Sequence, residues 1–393
     1  MEVESIDMEF FRVPKFALLV LGFWPETHLT PIRIIHGVIN VVILSWAVIS
    51  EMCSGIMLLQ QPVVALDAMA PSLSKFVTVL KLVMMWATRK RFRALLRQIY
   101  DLMQVENNSK KLKIMKDMKR LITFCGVIVF LFGNATNAAY FFRPIVNNVL
   151  NHRNGRNITR EMPFIAWIPF QTHNVVAFGI GYMINSYFGF IAAFGFGGVD
   201  GFFVQCCLYM ATLFQLCRED AKLAFYKGPL AVVSAEQNRI TQKKLCAVIE
   251  KHNVIMDMCD ELVDLFTLII LGHFLSAALV ICVTAIDFLM ASGFNIVVYI
   301  VHSLMVIFEL FVYCIGGSQV FESSIDVARA VYFREWYKYD TRTQKMVALI
   351  MVRSQKGTSV QVPFFTPSIS VFATMLGTAS SYITLLRTFL KRH

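Results

Sequence analysis

The sequence predicts an all-α integral membrane protein of seven transmembrane helices, with its N-terminus cytoplasmic and its C-terminus extracellular. Three observations carry that prediction. Of the 393 residues, 56% are hydrophobic and 16% charged, with 34 Phe and 20 Met, and the mean hydropathy is +0.59; a soluble domain is nearer half apolar and a quarter charged. The apolar residues also fall into runs of about 20, the length at which a helix crosses ~30 Å of hydrocarbon. Finally, Lys and Arg gather in alternate connections between those runs.

Residues 1–31 do not read as a secretory signal, because Glu2, Glu4, Asp7 and Glu9 replace a basic leader. The run Phe16–Trp24, closed by Pro14 and Pro25, is too short to span and is expected at the membrane interface. Spans are expected at 32–59, 69–87, 121–142, 174–217, 262–288, 294–319 and 366–390. Segment 174–217 is long enough for two. Its cluster Gly195, Gly197, Gly198, Asp200, Gly201 reads either as a hairpin turn or as glycines that let helices approach. Charge placement favours one helix.

The connection after span two holds Arg89, Lys90, Arg91, Arg93, Arg97 and a second basic group from Lys110 to Arg120. Arg218, Lys222, Lys243 and Lys244 follow span four, and Arg329, Arg334, Lys338 and Arg342 follow span six. The connection after span one has Lys75 alone, that after span three has Arg143, Arg153, Arg156 and Arg160, and that after span five has no Lys or Arg. Basic residues concentrate on the cytoplasmic side, which sets the orientation. The cytoplasmic extensions are then 88–120 and 218–261, followed by a cytoplasmic segment at 320–365. The glycosylation triplet at Asn157 falls in an external loop, whereas those at Asn107 and Asn134 do not. None of the nine cysteines lies in an external loop, so no external disulfide framework is expected.

The net charge of +11 belongs to these loops, where orientation and anionic lipid account for it, and no nucleic-acid partner is expected. There is no His-Glu-X-X-His pair and no Gly-X-Ser-X-Gly elbow, and neither an enzyme nor a cofactor is indicated. The intramembrane polar residues Lys81, Asp200, His273, His302 and Glu309 form no set recognisable by spacing. Asp200 and Glu309 are expected near the cytoplasmic membrane edge. Ser370, Thr374, Thr378, Ser381, Leu385 and Thr388 repeat every three or four residues, so they share one helical face opposite Phe372, Met375, Leu376 and Ile383. Such a row lines water, packs on another helix, or bonds back to its own carbonyls. An aqueous path is the preferred reading.

The stretches "HNVIMDMCDELVDLFTLIILGHFLSAALVIC" (252–282), "YCIGGSQVFESSIDVARAVYFREWY" (313–337), "PFFTPSISVFATMLGTASSYITLL" (363–386) and "FRVPKFALLVLGFWP" (11–25) resemble the insect odorant receptors. The resemblance implies an odorant-gated, nonselective cation channel of four subunits in the plasma membrane of an olfactory neuron. It also implies that the last helix lines the pore, with 341–355 as a cytoplasmic anchor helix. The chain lacks the insertion before span five that marks the shared co-receptor, so it resembles a ligand-tuning subunit that joins that co-receptor in a heterotetramer. On this reading Thr378, Ser381, Leu385 and Thr388 belong to pore and gate. The odorant site would lie in the outer half between spans two and six, where Phe76, Phe130, Gly133, Asn134, Asn137, Phe178, Tyr182, Thr284, Phe288, Phe294 and Tyr299 suit an apolar or aromatic volatile. A seven-helix G-protein-coupled chemoreceptor, which needs an external N-terminus, and a small-molecule transporter, which needs an inverted repeat, are the alternatives.

Overall fold

The computed structural model describes residues 10–25, 30–104, 108–170, 172, 174–226, 233–291 and 293–390, with side chains through Thr384. Among them ten α-helices follow one another: α1 Arg12–Leu21, α2 Pro31–Met57, α3 Pro62–Ala87, α4 Arg89–Met103, α5 Ser109–Arg153, α6 Val175–Ala224, α7 Ala235–Met290, α8 Asn295–Tyr332, α9 Thr341–Gln355 and α10 Ile369–Leu390. Six are long and apolar enough to cross a membrane: α2, α3, α5, α6, α7 and α8. The 22-residue α10 is the seventh expected span.

Helix starts follow local chemistry. Pro31 and Pro62 open α2 and α3, where a missing N–H costs nothing. The Asn108 side chain accepts from the first N–H groups of α5, and Asn174 does the same for α6. Ser234 and Gln237 form a reciprocal capping box on α7. Asp340 caps α9 through the Thr343 N–H at 2.9 Å. Hydrogen bonds from the side chain and backbone of Thr343 hold the Asp340 carboxyl below its usual range.

Segment 174–217 is one unbroken helix within α6, and the glycine cluster is packing rather than a turn. The most apolar stretch of α6 is 94% buried, which makes it the axis around which the others pack. Its glycines are windows toward different neighbours. A Cβ at Gly195 would come 2.5 Å from Thr78 of α3, one at Gly197 2.6 Å from Phe130 of α5, and one at Gly198 2.8 Å from Leu18 of α1. Each is closer than van der Waals contact allows, so only Gly lets these helices cross at this distance. Short α1 buries Ala17, Leu18 and Leu21 in the hydrophobic core, and Phe11 and Trp24 at its two ends both pack on Phe202 of α6.

Helices α5 to α8 have 45, 50, 56 and 38 residues, more than the roughly 20 a bilayer needs. Their extra turns carry the basic residues. Near that end Gln242 of α7 donates to Asp340 at 3.0 Å, and the Tyr226 backbone N–H donates to the Tyr339 hydroxyl at 2.9 Å. Gly357, at φ +67°, turns the chain after α9. Gly317 then lets the α9–α10 connection come close to α8: a Cβ there would lie 2.6 Å from the Pro367 carbonyl. Lys75, counted above with a connection, lies inside α3 at 2% exposure and pairs with Glu51. The connection between α2 and α3 thereby loses its single basic residue, which sharpens the charge contrast between the two ends.

Candidate functional site

The small side chains where five helices meet leave a space. Gly189, Ala192 and Ala193 of α6 face Gly133 of α5 and Ala277 of α7, and α3 and α8 close the ring. The resulting cavity has a volume of about 70 Å³, several times the roughly 10–15 Å³ that one water needs. Val77, Phe196, Val280, Met305 and Val306 give it apolar walls.

One end is closed by Phe164, from the connection between α5 and α6. Asn185 of α6 grips that residue by its backbone: the Phe164 N–H donates to Oδ1 at 2.8 Å and the Asn185 amide donates to the Phe164 carbonyl at 3.1 Å. Arg143, held by Asp67 at 2.9 Å, donates to the Pro163 carbonyl at 3.0 Å. The Phe164 ring stacks on Tyr140 at 4.8 Å and lies 3.4 Å from Lys75 Nζ. Below it, His302 uses both ring nitrogens, Nδ1 toward the Tyr140 hydroxyl at 3.0 Å and Nε2 toward Ser74 at 3.1 Å. Beyond Phe164 a second, outer cleft is lined by Asp67, Arg143, Glu161 and Tyr299. Phe164 therefore stands between the two spaces.

The other end is ionic. Lys81 of α3 bonds Asp200 of α6 at 2.8 Å and also Glu309 of α8. Tyr313 donates to Asp200, and His273 Nδ1 lies 3.1 Å from Glu309. All five side chains are at most 7% exposed. Asp200 and Glu309 thus sit inside the bundle on a shared lysine, which satisfies them in place of water or a basic loop. A buried charge is tolerable only when paired and hydrogen-bonded, and this cluster ties α3, α6, α7 and α8 together by that requirement. Among the described residues no group of three or more His, Cys, Asp or Glu is placed to hold a metal.

Of the aromatic and polar candidates named from sequence, Gly133 and Asn137 line the cavity. Phe294 packs on the Tyr140–Phe164 cluster, and Tyr299 lines the outer cleft. Tyr182 donates to the Phe141 carbonyl and meets Phe178 at 6.1 Å, away from the cavity wall. Phe130 packs on Phe194 at 5.1 Å, and Asn134 bonds back to the Phe130 carbonyl. Thr284 is satisfied by the Val280 carbonyl and Ser303. Phe76 and Phe288 are 57% and 43% exposed on outer faces. Sequence reasoning missed Tyr140, Phe164 and Phe196 as wall residues. It singled out Lys81, His273, His302 and Glu309 as intramembrane polar residues without their mutual contacts.

On α10, Ser370, Thr374, Thr378 and Ser381 are exposed, while Phe372 and Met375 pack toward the bundle. The hydroxyls of Thr374, Thr378 and Ser381 donate to carbonyls four residues earlier, at 2.9 to 3.0 Å. The side chains of Leu385 and Thr388 lie outside the described residues. Asn157 is exposed in the connection between α5 and α6.

A family model described as 7tm odorant receptor matches residues 61–380. Odorant receptor 22c of Drosophila melanogaster is 33% identical, with 98% of each chain covered. Odorant receptor 24a of the same species is 29% identical, over 97% of this chain and 96% of its own. Among solved structures, the insect olfactory receptor OR5 from Machilis hrabei superposes with a TM-score of 0.79 at 15% identity, covering 95% of this chain and 96% of its own. The same receptor in complex with eugenol gives 0.77 at 14% identity, over 98% of both chains. These relatives are receptors rather than enzymes, and the seven-helix fold is theirs. Matched over most of its length and similar to such relatives from end to end, this multi-pass membrane protein belongs to the insect 7tm odorant receptor family.

Proposed function

We propose that the chain is the odorant-binding, tuning subunit of a ligand-gated, nonselective cation channel. It binds a small volatile in the cavity between α3, α5, α6, α7 and α8 and joins a shared co-receptor in a plasma-membrane heterotetramer. The observation that carries this reading is the cavity itself: an apolar, aromatic-walled space complete within one chain, closed by Phe164 above and the Lys81 cluster below. Phe196, Tyr140 and Phe164 offer dispersion contacts, while Gly133 and Asn137 shape one side. The alternating basic connections put the N-terminus and α9 in the cytoplasm and Asn157 outside, available for glycosylation.

Helix α10 is the proposed pore wall. Its hydroxyls bond back to the helix and so need no partner helix, yet their remaining lone pairs and uncovered face suit water. Leu385 and Thr388, further along the same helix, are proposed as the gate, where an apolar ring opens by wetting.

The test is current recording. The chain expressed with the co-receptor is expected to give volatile-evoked cation currents, and little current alone. Cysteines at Ser381, Leu385 and Thr388 are expected to react with a charged thiol reagent from outside, faster when odorant is present, while cysteines at Ile383 and Leu386 react slowly. Cys282 and Cys314 are removed in that background. Uniform, odorant-independent modification would mean that the hydroxyl row is not a pore wall.

A further inference from the structure

Resting on the reading of the cavity as the odorant site, we infer that it selects volatiles carrying an O–H or N–H donor, such as a phenol, an alcohol or an indole, and that His273 Nε2 accepts that hydrogen bond. The other polar groups of the wall are already bonded to protein, apart from the Asn137 amide, which can both donate and accept and so does not choose between ligands. His302 uses both ring nitrogens on Tyr140 and Ser74. Lys81 is shared by two carboxylates. Thr78 and Thr136 donate to carbonyls of their own helices, each at 3.1 Å, and Ser276 donates to the His273 carbonyl at 2.9 Å. His273 is different. It lines the cavity at 3% exposure, and its Nε2 has no hydrogen-bond partner. Of the buried side-chain atoms left unpartnered among the described residues, it is the one that belongs to the cavity wall.

An unpartnered buried nitrogen is costly, and native proteins leave few of them unless a ligand or water completes the bond. Which partner fits depends on the tautomer. Nδ1 lies 3.1 Å from Glu309, a carboxylate already ion-paired with Lys81 and therefore an acceptor. Nδ1 must then carry the hydrogen, and a neutral imidazole so arranged presents a lone pair at Nε2. Tyr313 stacks on the ring at 5.3 Å and fixes its plane. A ligand with a donor satisfies Nε2; an ether or ester of the same shape leaves it empty and sets an oxygen lone pair against it. Sites built to hydrogen-bond a ligand O–H or N–H discriminate strongly against analogues that lack it.

The experiment records currents from the full chain with its co-receptor, using matched probes: 4-methylphenol and 4-methylanisole, benzyl alcohol and benzyl methyl ether, indole and N-methylindole, with benzaldehyde as an acceptor-only probe. The donor member of a responsive pair is expected to half-activate at a concentration roughly 10- to 100-fold lower than its methylated partner. His273→Phe is expected to shrink that ratio to within about threefold, and His273→Gln, whose amide oxygen accepts, to restore part of it. His273→Met serves as a second apolar variant, and surface levels are measured for each. The inference is overturned if methylated partners match the donors, if benzaldehyde is preferred, or if His273→Phe and His273→Met keep the donor preference. It is equally overturned if these probes are silent while other volatiles open the channel, an outcome that leaves the proposed function standing. Silence to every volatile, with the complex at the surface, counts instead against the proposed function.

Discussion

Lys81→Met is expected to remove most of the protein from the cell surface. The substitution keeps length and apolar stem but leaves Asp200 and Glu309 facing each other without their shared cation, deep in the bundle. Breaking a buried pair by removing one partner costs about 3–5 kcal/mol, against a total stability of about 5–15 kcal/mol for a typical domain. The companion variant Lys81→Met with Asp200→Asn and Glu309→Gln removes all three charges and should recover part of the loss, because neutral amides can still hydrogen-bond Tyr313 and His273. Surface labelling and thermal unfolding of the purified complex would report both. A single variant as stable as the parent would mean that water or another cation replaces Lys81.

The second large effect is expected from filling the cavity. Ala277 lines it from α7 at 1% exposure. In Ala277→Phe the added ring takes up space that an odorant needs, so the half-activating concentration should rise at least ~100-fold or the response should vanish. Overpacking costs typically ~1–3 kcal/mol, but the cavity offers room, so surface level should fall only modestly. Leu279→Phe, on the same helix at 57% exposure, is the control and should respond normally. Equal sensitivity of the two variants would separate the cavity from odorant binding.

The helices were legible from sequence, whereas the site was legible only in its ingredients. Each expected span matches one helix, overrunning its ends by at most three residues, because a run of apolar residues is a local signal that needs no knowledge of neighbours. Even the ambiguous segment 174–217 resolved as one helix for a reason written in its glycines, although only the packing of Thr78, Phe130 and Leu18 shows what each glycine admits. The ionic end of the cavity joins residues far apart in the chain: Lys81 is 119 positions from Asp200 and 228 from Glu309. No spacing rule connects them, and each was visible only as an isolated polar residue in an apolar run. The aromatic candidates fared differently because residue type does not say which way a membrane helix faces. Lipid and protein interior are both apolar, so the exposed Phe76 and the buried Phe196 look alike in sequence.

The central claim is that the odorant sits in the cavity of this chain between α3, α5, α6, α7 and α8. Its most direct test is an experimental structure of the assembled receptor with an activating volatile bound. The account predicts ligand density among Phe196, Tyr140, Ala277 and His273, with Phe164 above it and the Lys81 cluster intact below. Density confined to the outer cleft of Asp67, Arg143 and Tyr299, or to a surface between subunits, with the inner cavity empty, would contradict it.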